Sequence, residues 1–444
     1  MSRPPGRAVL LLLLLPAVVT GEPHRERARA EQIYQAARAL ERAGQRSSAL
    51  ERYLQALLVG PGLHAGAAER LARDPAFPLS ASGLRVLAAR DLSTLDPRLR
   101  SGIRHRVALF WLRSGEVARA RAVLVLEDRP WAHYLLALIA LREGKTDAAR
   151  HQLELARGGG DRDIAELCTL ALARLDVETG DLKRAERRYL GVAFGSPHFF
   201  RSRQELAWLY LRRSMPAQAL AQSVSLAAPS LARHYRPDRE LVEAAALSSL
   251  CRVKQALGLA RRGAARLDSD IKKTRKFLRP RPDARLYYVE AMASVVRGGG
   301  TLPGVGALLG DSGFRRVFQT VWQLQRERSL LLRTGAAGLR HELSSELDLR
   351  LVQAQQRAGR TVVSIFTRLL VELEDLRLRA QELLVDLEGQ AVQAVIRRRE
   401  HRSPPREGSR PIAGRGQQQW PFLGEYWVDE VGRYQVELGG SSCH

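Results

Sequence analysis

The sequence predicts an all-α protein: an α-solenoid of paired helices, then a long helical, coiled-coil region and a small C-terminal β-hairpin tail. Three observations support this fold class. Apolar residues make up 45% of the 444 residues and aromatic residues only 6%, and this mixture of Leu, Ala and Val suits close-packed helices. Small residues recur at a fixed spacing in the first half of the chain. Apolar residues recur in heptads in the second half, as they do in helices that pair with other helices.

The chain is strongly basic, with a formal net charge of +24 that comes almost entirely from arginine. Lysine is scarce and asparagine is absent, a composition typical of proteins from GC-rich genomes. The net charge is therefore weak support for any one function, because the base composition of a GC-rich genome also places many arginines on a protein surface. At low salt it still predicts attraction to acidic proteins, anionic membranes or nucleic acid. The absence of asparagine excludes N-glycosylation, which favours a bacterial periplasm over a eukaryotic secretory route.

Residues 1–21 have the pattern of an export signal. Arg3 and Arg7 give a basic start, residues 8–15 form an apolar run, and small residues up to Gly21 suit cleavage. The apolar run is too short for a comfortable transmembrane helix, and no later segment is apolar enough to span a bilayer. We therefore expect an exported, periplasmic protein that is soluble after signal cleavage. Whether the signal is cleaved or retained as a membrane anchor stays open.

A repeated unit is clearest at residues 30–61. Ala37 and Ala49 fit the closest approach of two antiparallel helices, where only small side chains pack. Gly44 supplies the turn between the helices, because glycine adopts a left-handed backbone without strain. Pro61 ends the second helix. The unit is therefore predicted to be a pair of helices.

The same frame recurs five more times along the chain. The recurring positions are Ala108, Trp111, Gly115, Ala120 and Leu124 in 101–130; Ala137, Ala140, Gly144, Ala149, Leu153 and Ala156 in 131–160; Ala173, Gly180, Ala185 and Tyr189 in 166–197; Ala207, Tyr210 and Ala219 in 200–229; and Ala244, Leu247, Ala256 and Ala260 in 237–266. The repeats start roughly 34 residues apart. On these residues, the chain resembles tetratricopeptide-repeat proteins over residues 30–268. Residues 62–100 leave room for one degenerate repeat, and an ordinary helical bundle is the alternative.

The resemblance implies that the first helix of each repeat lines a concave groove that binds peptides or helices. Carried onto this sequence, the partner-binding groove positions are His105, Arg113, Tyr134, Leu138, Arg142, Arg174, Trp208 and Arg212. Arginines interleaved with Tyr134 and Trp208 would suit an acidic peptide with apolar anchors. The alternative is that these arginines form a solvated face that binds nothing.

Residues 269–335 are predicted to form a helical connector between the repeats and the second half. The basic stretch 272–281 indicates a charged hinge, because Pro280 near its end and Pro282 directly after it interrupt a helix. The glycine-rich stretch 298–306 indicates a flexible joint and lacks the residues of a phosphate-binding loop.

Residues 336–398 are predicted to form long helices or a coiled coil. A heptad seam runs through Val362, Phe366, Leu369, Leu373, Leu376, Ala380, Leu383 and Leu387. Two partners fit this seam. One is the preceding helix around 339–351, in a hairpin that an interruption at Gly359 would favour, and the other is a second subunit.

Residues 399–419 have the composition of a linker, and residues 420–444 form an aromatic tail. Its candidate partner-binding residues are Trp420, Phe422, Tyr426, Trp427 and Tyr434. Apolar residues alternate with polar ones around Tyr434, which predicts a strand that pairs in a β-hairpin. An isolated hairpin is marginal in water, so these aromatic residues should pack on something. The tail either covers the protein's own helices or docks on another protein.

The tail carries a second, looser resemblance. It rests on Trp420-Pro421-Phe422, Gly424-Glu425-Tyr426-Trp427, Asp429-Glu430 and Gly432 and, more weakly, on the entry into the sixth repeat at Tyr235. In these residues the chain resembles exported tetratricopeptide-repeat proteins of myxobacteria, some of which belong to envelope-spanning gliding-motility complexes. Gliding motility is therefore implied by resemblance alone.

The three cysteines show no metal-binding spacing. Cys168 and Cys251 lie two repeats apart, so their Cα atoms should exceed the roughly 7 Å limit for a disulfide. Cys443 is expected to be a solvated thiol in the tail, and a bond to another molecule stays open.

The sequence contains no motif of a catalytic, metal-binding or nucleotide-binding site. We therefore expect no enzyme and no cofactor. The expected function is that of a non-catalytic periplasmic scaffold or adaptor that binds other envelope proteins, with self-association through the coiled region as a further contact. The alternatives are a basic solenoid that binds a polyanion, such as nucleic acid or an anionic cell-wall polymer, and an accessory factor of a cell-wall enzyme. No small-molecule substrate is expected, and nucleic acid is the less favoured partner.

Overall fold

The computed structural model describes residues 23–59, 64–73, 79, 81–231, 234–297, 302–334 and 337–400. These residues form α-helices and one short 3-10 turn, without any strand, which confirms the all-α class. The predicted signal 1–21, linker residues 401–419 and the predicted β-hairpin in 420–444 lie outside the described residues. Within the described part of the chain, no helix is both long and apolar enough to cross a membrane.

The chain forms two compact units, which we describe one at a time. Unit 1 comprises Met1–Lys145 and Arg316–Gln355, and unit 2 comprises Thr146–Arg315 and Gln356–His444. The helices of unit 1 are α1 (Pro23–Arg42), α2 (Arg46–Leu58), α3 (Ala65–Arg73), α4 (Ala81–Ala88), α5 (Pro97–Arg113), α6 (Val117–Leu124) and α7 (Pro130–Arg142). Those of unit 2 are α8 (Thr146–Gly158), α9 (Arg162–Glu178), α10 (Leu182–Leu190), α11 (Phe199–Arg212), α12 (Pro216–Leu226), α13 (Arg239–Ser249), α14 (Val253–Phe277), α15 (Arg285–Val296) and α16 (Val305–Gly310). Helices α17 (Ser312–Thr334) and α18 (Ala337–Glu400) contribute residues to both units.

The small residues of the repeat frame are buried between neighbouring helices. The first-helix alanines Ala37, Ala108, Ala137, Ala173, Ala207 and Ala244 and the second-helix alanines Ala49, Ala120, Ala149, Ala185, Ala219 and Ala256 are all buried. In unit 1, Ala37 and Ala49 share a core with Tyr53. In unit 2, Ala173 and Ala185 share a core with Tyr189. Because alanine adds little volume, the two backbones approach closely. The described residues thus have a helical-repeat-like architecture.

Most first helices end in the same kind of turn. The backbone enters the left-handed region at Gly44 (φ 77°), Gly115 (φ 80°), Gly144 (φ 72°) and Gly180 (φ 84°). At the end of α5, the Gly115 amide donates to the Leu112 carbonyl (3.2 Å) and the Glu116 amide donates to the Trp111 carbonyl (2.9 Å). This Schellman arrangement satisfies carbonyl groups that the helix itself leaves unpaired. The turn that the sequence predicts from glycine is therefore confirmed.

Two repeats form this turn without glycine. Ser214 (φ 56°) and Cys251 (φ 58°) hold the same left-handed backbone after α11 and α13. The Met215 amide donates to the Tyr210 carbonyl at 2.9 Å, as in the glycine turns. The surrounding helices therefore impose on serine and cysteine a conformation that glycine adopts freely.

Changing Ser214 to glycine is expected to stabilise the protein, because a side chain in the left-handed region costs about 1 kcal/mol. The reverse change, Gly180→Ala, should destabilise it by a similar amount. A Cβ at Gly180 would have no neighbour within 4 Å, so only the backbone conformation would be penalised. Melting temperatures from far-UV circular dichroism should move in opposite directions for the two variants. Equal melting temperatures would contradict the strain assigned to Ser214.

Helix α18 corrects the expected hairpin. Residues 339–351 and the seam that starts at Val362 lie on one uninterrupted helix, so the first segment does not fold back on the second. Gly359 does not break this helix but is buried within it. A Cβ at Gly359 would lie 1.8 Å from the carbonyl oxygen of Ala284, next to the start of α15. Glycine at this position therefore allows a close approach between two backbones.

In unit 1, a carboxylate from α17 caps the start of α2. Glu327 is fully buried and its carboxylate accepts from the Ser47 backbone amide (2.8 Å), from the Ser47 hydroxyl and from the Gln323 side-chain amide (2.9 Å). Gln45, which precedes α2, forms no side-chain cap of its own. Its side-chain amide donates instead to the Glu327 carbonyl oxygen (3.0 Å). Glu327 thus satisfies a first-turn amide that has no partner within its helix.

Candidate protein-binding faces

The eight residues that the sequence places in a groove occupy three equivalent positions. We count back along each helix from the turn residue with positive φ that follows it. His105 and Tyr134 lie ten residues before that turn, and Leu138, Arg174 and Trp208 lie six residues before it. Arg113, Arg142 and Arg212 lie two residues before it. Steps of four residues put all three positions on one side of a helix. We call this side of α5, α7, α9, α11 and α13 the first-helix face.

In unit 1, the first of these positions is packed within the protein. The His105 imidazole stacks on the Trp131 ring, with 4.2 Å between the ring centres and 14° between their planes. Burial, together with the charges of Arg316, Arg106 and Arg113, lowers the pKa of His105 to about 4. The imidazole is therefore neutral at neutral pH. It contributes to the first-helix face by packing on Trp131 and offers no positive charge to a ligand.

The other two positions in unit 1 are open to solvent. Leu138 on α7 is 41% exposed, which is high for a large apolar side chain. Arg113 and Arg142 are exposed in the last turns of α5 and α7. A basic residue there also compensates the partial negative charge of the helix end, by about 0.3–1 kcal/mol. The face therefore presents an apolar side chain together with two cations.

In unit 2, the predicted position Arg174 is already paired. Its guanidinium donates to both carboxylate oxygens of Glu205, with a shortest distance of 2.7 Å. Glu205 also accepts from Arg201 (2.7 Å) and from the Tyr189 hydroxyl (3.1 Å). Burial alone would raise the pKa of Glu205, but Arg174 and Arg201 hold that pKa below its usual value. Arg174 therefore belongs to a network that joins α9, α10 and α11.

Trp208 in unit 2 is half-buried and fixed by hydrogen bonds. Its indole N–H donates to Asp238 (2.7 Å), and the Gln204 side chain donates to the other oxygen of the same carboxylate (2.7 Å). Asp238 is 4% exposed, so two donors satisfy a carboxylate that has left water. The Trp208 ring packs on a cluster that includes Leu373 and Leu376 of α18. Trp208 thus packs against α18 of the same chain and is only half open to solvent.

The seam of α18 is buried against the repeat helices of unit 2. Leu373, Leu376 and Ala380 join Leu241 of α13 and Leu267 of α14 in one apolar cluster. Further along, Leu387 packs with Ala244, Ala256 and Ala260 in a second cluster. Near the start of the seam, the Phe366 ring lies 4.8 Å from the Phe277 ring. Helices α13 and α14 therefore cover the heptad seam. The sequence alone had left the partner of this seam undecided.

Three ion pairs flank this seam with the carboxylate on α18 and the guanidinium group on a repeat helix. The pairs are Arg201–Glu372 (3.8 Å), Arg275–Glu374 (2.6 Å) and Arg261–Glu388 (3.0 Å). Arg368 of α18 pairs in the opposite sense with Asp311 (3.6 Å), and Arg379 of α18 lies over the Trp208 ring. Exposed pairs add little stability, so the apolar seam is the main contact of this amphipathic helix with the repeat helices.

A cavity of about 550 Å³ remains open beside Trp208. It is lined by Arg201, Gln204, Glu205, Trp208, Leu211, Arg212, Asp238, Glu372, Asp375, Leu376 and Arg379. The predicted residue Arg212 lies on its wall and donates to the Val177 carbonyl (3.2 Å). Charges of both signs line the cavity, so it does not select an anion by charge alone.

Some residues of this surface were missed at the level of sequence. Gln204 and Leu241 occupy the same repeat position as His105 and Tyr134, and counting from the turn would have identified them. The turns at Ser214 and Cys251 hide that count, because neither residue marks a turn by its type. The five tail residues predicted to bind partners lie outside the described residues.

The described residues contain no group of three or more His, Cys, Asp or Glu side chains placed to hold a metal ion. No model of a known protein family matches the chain. None of the curated proteins compared with it matches significantly.

Proposed function

We propose that the protein is a non-catalytic scaffold or adaptor that binds partner proteins through its first-helix face, within a periplasmic envelope complex. The docking of α18 on the repeat helices of unit 2 carries this proposal. Helices α13 and α14 bury one amphipathic helix, and α5 and α7 present apolar and cationic side chains of the same kinds. The ligand that fits is a helix with an apolar seam and acidic flanks.

The face of α5 and α7 is the proposed docking site in unit 1. Leu138 offers an apolar contact, while Arg113 and Arg142 offer guanidinium groups to carboxylates. In unit 2, Leu241 of α13 and Arg275 of α14 supply an apolar contact and a guanidinium group to α18, at other positions of the repeat. Arginine suits this role because its planar group can bind a carboxylate through two hydrogen bonds.

The wider setting is part of the proposal. The repeat frame supports a tetratricopeptide-like solenoid, and residues 1–21 support export to the periplasm. Gliding motility rests on the resemblance of the tail and has no further support. An accessory factor of a cell-wall enzyme would use the same face, with the enzyme as its partner.

The net charge of +24 favours a second candidate, a solenoid that binds a polyanion. Many arginines are nevertheless engaged by carboxylates of the same chain. Asp176, which is fully buried, holds Arg150 (2.5 Å), Arg184 (2.9 Å) and Arg188 (2.9 Å) in unit 2. Such pairing leaves a surface of mixed sign and favours the protein ligand.

The test uses a fluorescein-labelled peptide with leucine at every fourth position and glutamate elsewhere, followed by fluorescence anisotropy with the full chain. The double variant Arg113→Glu/Arg142→Glu should weaken binding more than about tenfold, because two charge-assisted hydrogen bonds are worth about 1.5 kcal/mol each. The matched control is Arg98→Glu/Arg129→Glu, which changes the net charge equally at the opposite ends of α5 and α7. The control should change binding less than about twofold.

Salt and a competitor separate the two functions. Polyanion binding should fall steeply between low and physiological salt and should respond equally to both double variants. The peptide also binds through leucine side chains, so its affinity should fall less steeply over that range than the affinity for single-stranded DNA. Equal loss in both variants, with displacement of the peptide by single-stranded DNA, would overturn the proposed function.

A further inference from the structure

Helix α15 of unit 2 carries an apolar row on its outer side. Leu286, Val289, Ala293 and Val296 follow one another at intervals of three and four residues, so they share one side of the helix. We call this row the α15 stripe. Its three large side chains, Leu286, Val289 and Val296, are 44%, 55% and 84% exposed. The buried residues lie on the other side of the helix, at Tyr287, Tyr288, Ala291 and Ser294. Helix α15 is therefore apolar toward solvent, whereas a surface helix ordinarily presents polar residues to water.

A basic patch adjoins the start of α15. The basic stretch 272–281 forms the end of α14 and the loop that follows it. From this stretch to the end of α15 the chain carries eight cationic side chains, and we call them the basic patch. They are Lys272, Lys273, Arg275, Lys276, Arg279, Arg281, Arg285 and Arg297.

Carboxylates neutralise only part of the basic patch. The ion pairs are Arg281–Glu290 (2.6 Å), Arg285–Asp283 (2.5 Å) and Arg275–Glu374 (2.6 Å). Among the described residues, no ion pair engages the other five cations, which are all exposed. Asp268, one turn before the patch, is a further exposed carboxylate. Eight cations thus face four carboxylates, and the patch keeps a surplus of positive charge.

Side-chain contacts hold the basic patch against the first turn of α15. The Tyr287 hydroxyl donates to the Arg279 carbonyl oxygen (2.8 Å), and the Tyr287 ring lies 5.7 Å from the Phe277 ring of α14. The Arg281 guanidinium lies over both rings, 4.8 Å from the centre of Tyr287 and 5.4 Å from that of Phe277. Electrostatic attraction reaches about 8–10 Å in physiological salt. The patch and the start of the α15 stripe therefore act on the same external surface.

This combination fits an anionic lipid bilayer. Helices that lie in the headgroup region of a bilayer combine an apolar face with basic flanks. The patch also contains three of the six lysines of the chain, although arginine supplies nearly all the other positive charge. Lysine is a flexible point charge whose alkyl stem can lie along apolar surface, which suits lipid phosphates, whereas arginine suits bidentate pairing with a carboxylate. The choice of lysine favours a bilayer over an acidic protein.

We propose that unit 2 binds the surface of an anionic lipid bilayer through α15 and the basic patch. The side chains of the α15 stripe enter the boundary between headgroups and acyl chains, and the lysines of the patch contact lipid phosphates. The contact is peripheral, because the 12 residues of α15 are too few to span a bilayer. This inference is independent of the proposed function, which uses α5 and α7.

The first test measures co-sedimentation of the full chain with vesicles of equal parts phosphatidylglycerol and phosphatidylcholine, and with vesicles of phosphatidylcholine alone. The variant Lys272→Glu/Lys273→Glu/Lys276→Glu should weaken binding to the anionic vesicles at least about tenfold. The other three lysines provide the control, Lys145→Glu/Lys183→Glu/Lys254→Glu, which changes the net charge equally. The control should keep the affinity within about threefold. Equal losses from both variants would overturn the proposal, because net charge alone would then cause the binding.

The second test removes the apolar contact and keeps the charge. Leu286→Gln/Val289→Gln should weaken binding to the anionic vesicles about tenfold, because two apolar side chains no longer enter the bilayer. The control is Val371→Gln/Leu378→Gln, which removes one exposed valine and one exposed leucine from α18 and should leave the affinity unchanged. Unchanged affinity in the α15 variant, with single-stranded DNA binding that depends on the patch lysines, would overturn the proposal in favour of a nucleic-acid site.

The third test locates the contact and is insensitive to lipid binding elsewhere in the chain. Val289→Trp adds an indole to the α15 stripe, and lipid brominated on its acyl chains should quench the added fluorescence. Val371→Trp adds an indole at an exposed position of α18 and should show no added quenching. Equal quenching of the two variants would contradict insertion of α15.

Discussion

Replacing Gly359 with alanine is expected to destabilise unit 2 by about 3 kcal/mol or more. The added Cβ would lie 1.8 Å from the Ala284 carbonyl oxygen and 2.5 Å from its carbon. Both neighbours are backbone atoms, so no side-chain rotation can relieve the overlap. Helix α18 and the start of α15 would have to move apart. Thermal and urea unfolding, followed by far-UV circular dichroism, would measure the loss.

Gly389 provides the matched control on the same helix. A Cβ at Gly389 would have no neighbour within 4 Å. Gly389→Ala should therefore stabilise the helix by about 0.5–1 kcal/mol, because alanine loses less backbone entropy than glycine. A stabilising effect of both substitutions would contradict the close approach of α18 to Ala284.

Replacing Glu327 with alanine is expected to destabilise unit 1 by about 3 kcal/mol. The change removes the acceptor of the Ser47 amide, the Ser47 hydroxyl and the Gln323 side chain. These donors lie in a region where water cannot replace the carboxylate, so they stay unsatisfied. Hydrogen exchange should accelerate in residues 46–58, at the start of α2, before it accelerates elsewhere.

Glu69→Ala is the control for this prediction, because it removes a glutamate of the same unit at the surface. The Glu69 carboxylate is about half exposed and pairs with Arg73 four residues away. Its loss should change the free energy of unfolding by less than about 0.5 kcal/mol. Similar losses from both variants would show that Glu327 contributes no more than a surface charge.

Local features of the fold could be predicted from the sequence. The alanines of the repeat frame are buried, and Gly44, Gly115, Gly144 and Gly180 adopt the left-handed turn. Asp181 caps α10, since its carboxylate accepts from the Arg184 amide (3.0 Å). These features depend on neighbours within one repeat, so spacing along the chain reveals them.

Contacts between distant segments could not be predicted in the same way. The heptad seam indicates that α18 needs a partner, but α13 and α14 carry no signal that names them as that partner. The cap that Glu327 provides for α2 joins residues 280 positions apart. In the sequence, Gly359 resembles a helix breaker. In the structure it allows the backbone at Ala284 to approach, and that backbone belongs to a distant segment. Such contacts follow from tertiary packing, which periodicity does not record.

The candidate site shows the same division. The places of Arg113, Leu138 and Arg142 on their helices were implied by the resemblance to repeat proteins, and these side chains are exposed in the structure. Arg174 and Trp208 satisfy the same pattern, yet Glu205 and α18 engage them within the chain. A groove position inferred from a repeat thus states where a side chain lies on its helix, and only the packing decides whether it is open.

Hydrogen exchange with mass spectrometry is the most direct test of the central claim, that the first-helix face of α5 and α7 binds an acidic amphipathic helix. Full-length protein would be compared with and without a saturating amount of the leucine–glutamate peptide. Protection should appear in the C-terminal halves of α5 and α7, at residues 105–113 and 134–142, and should be lost in Arg113→Glu/Arg142→Glu. Protection confined to other segments, or unchanged in that variant, would contradict the claim.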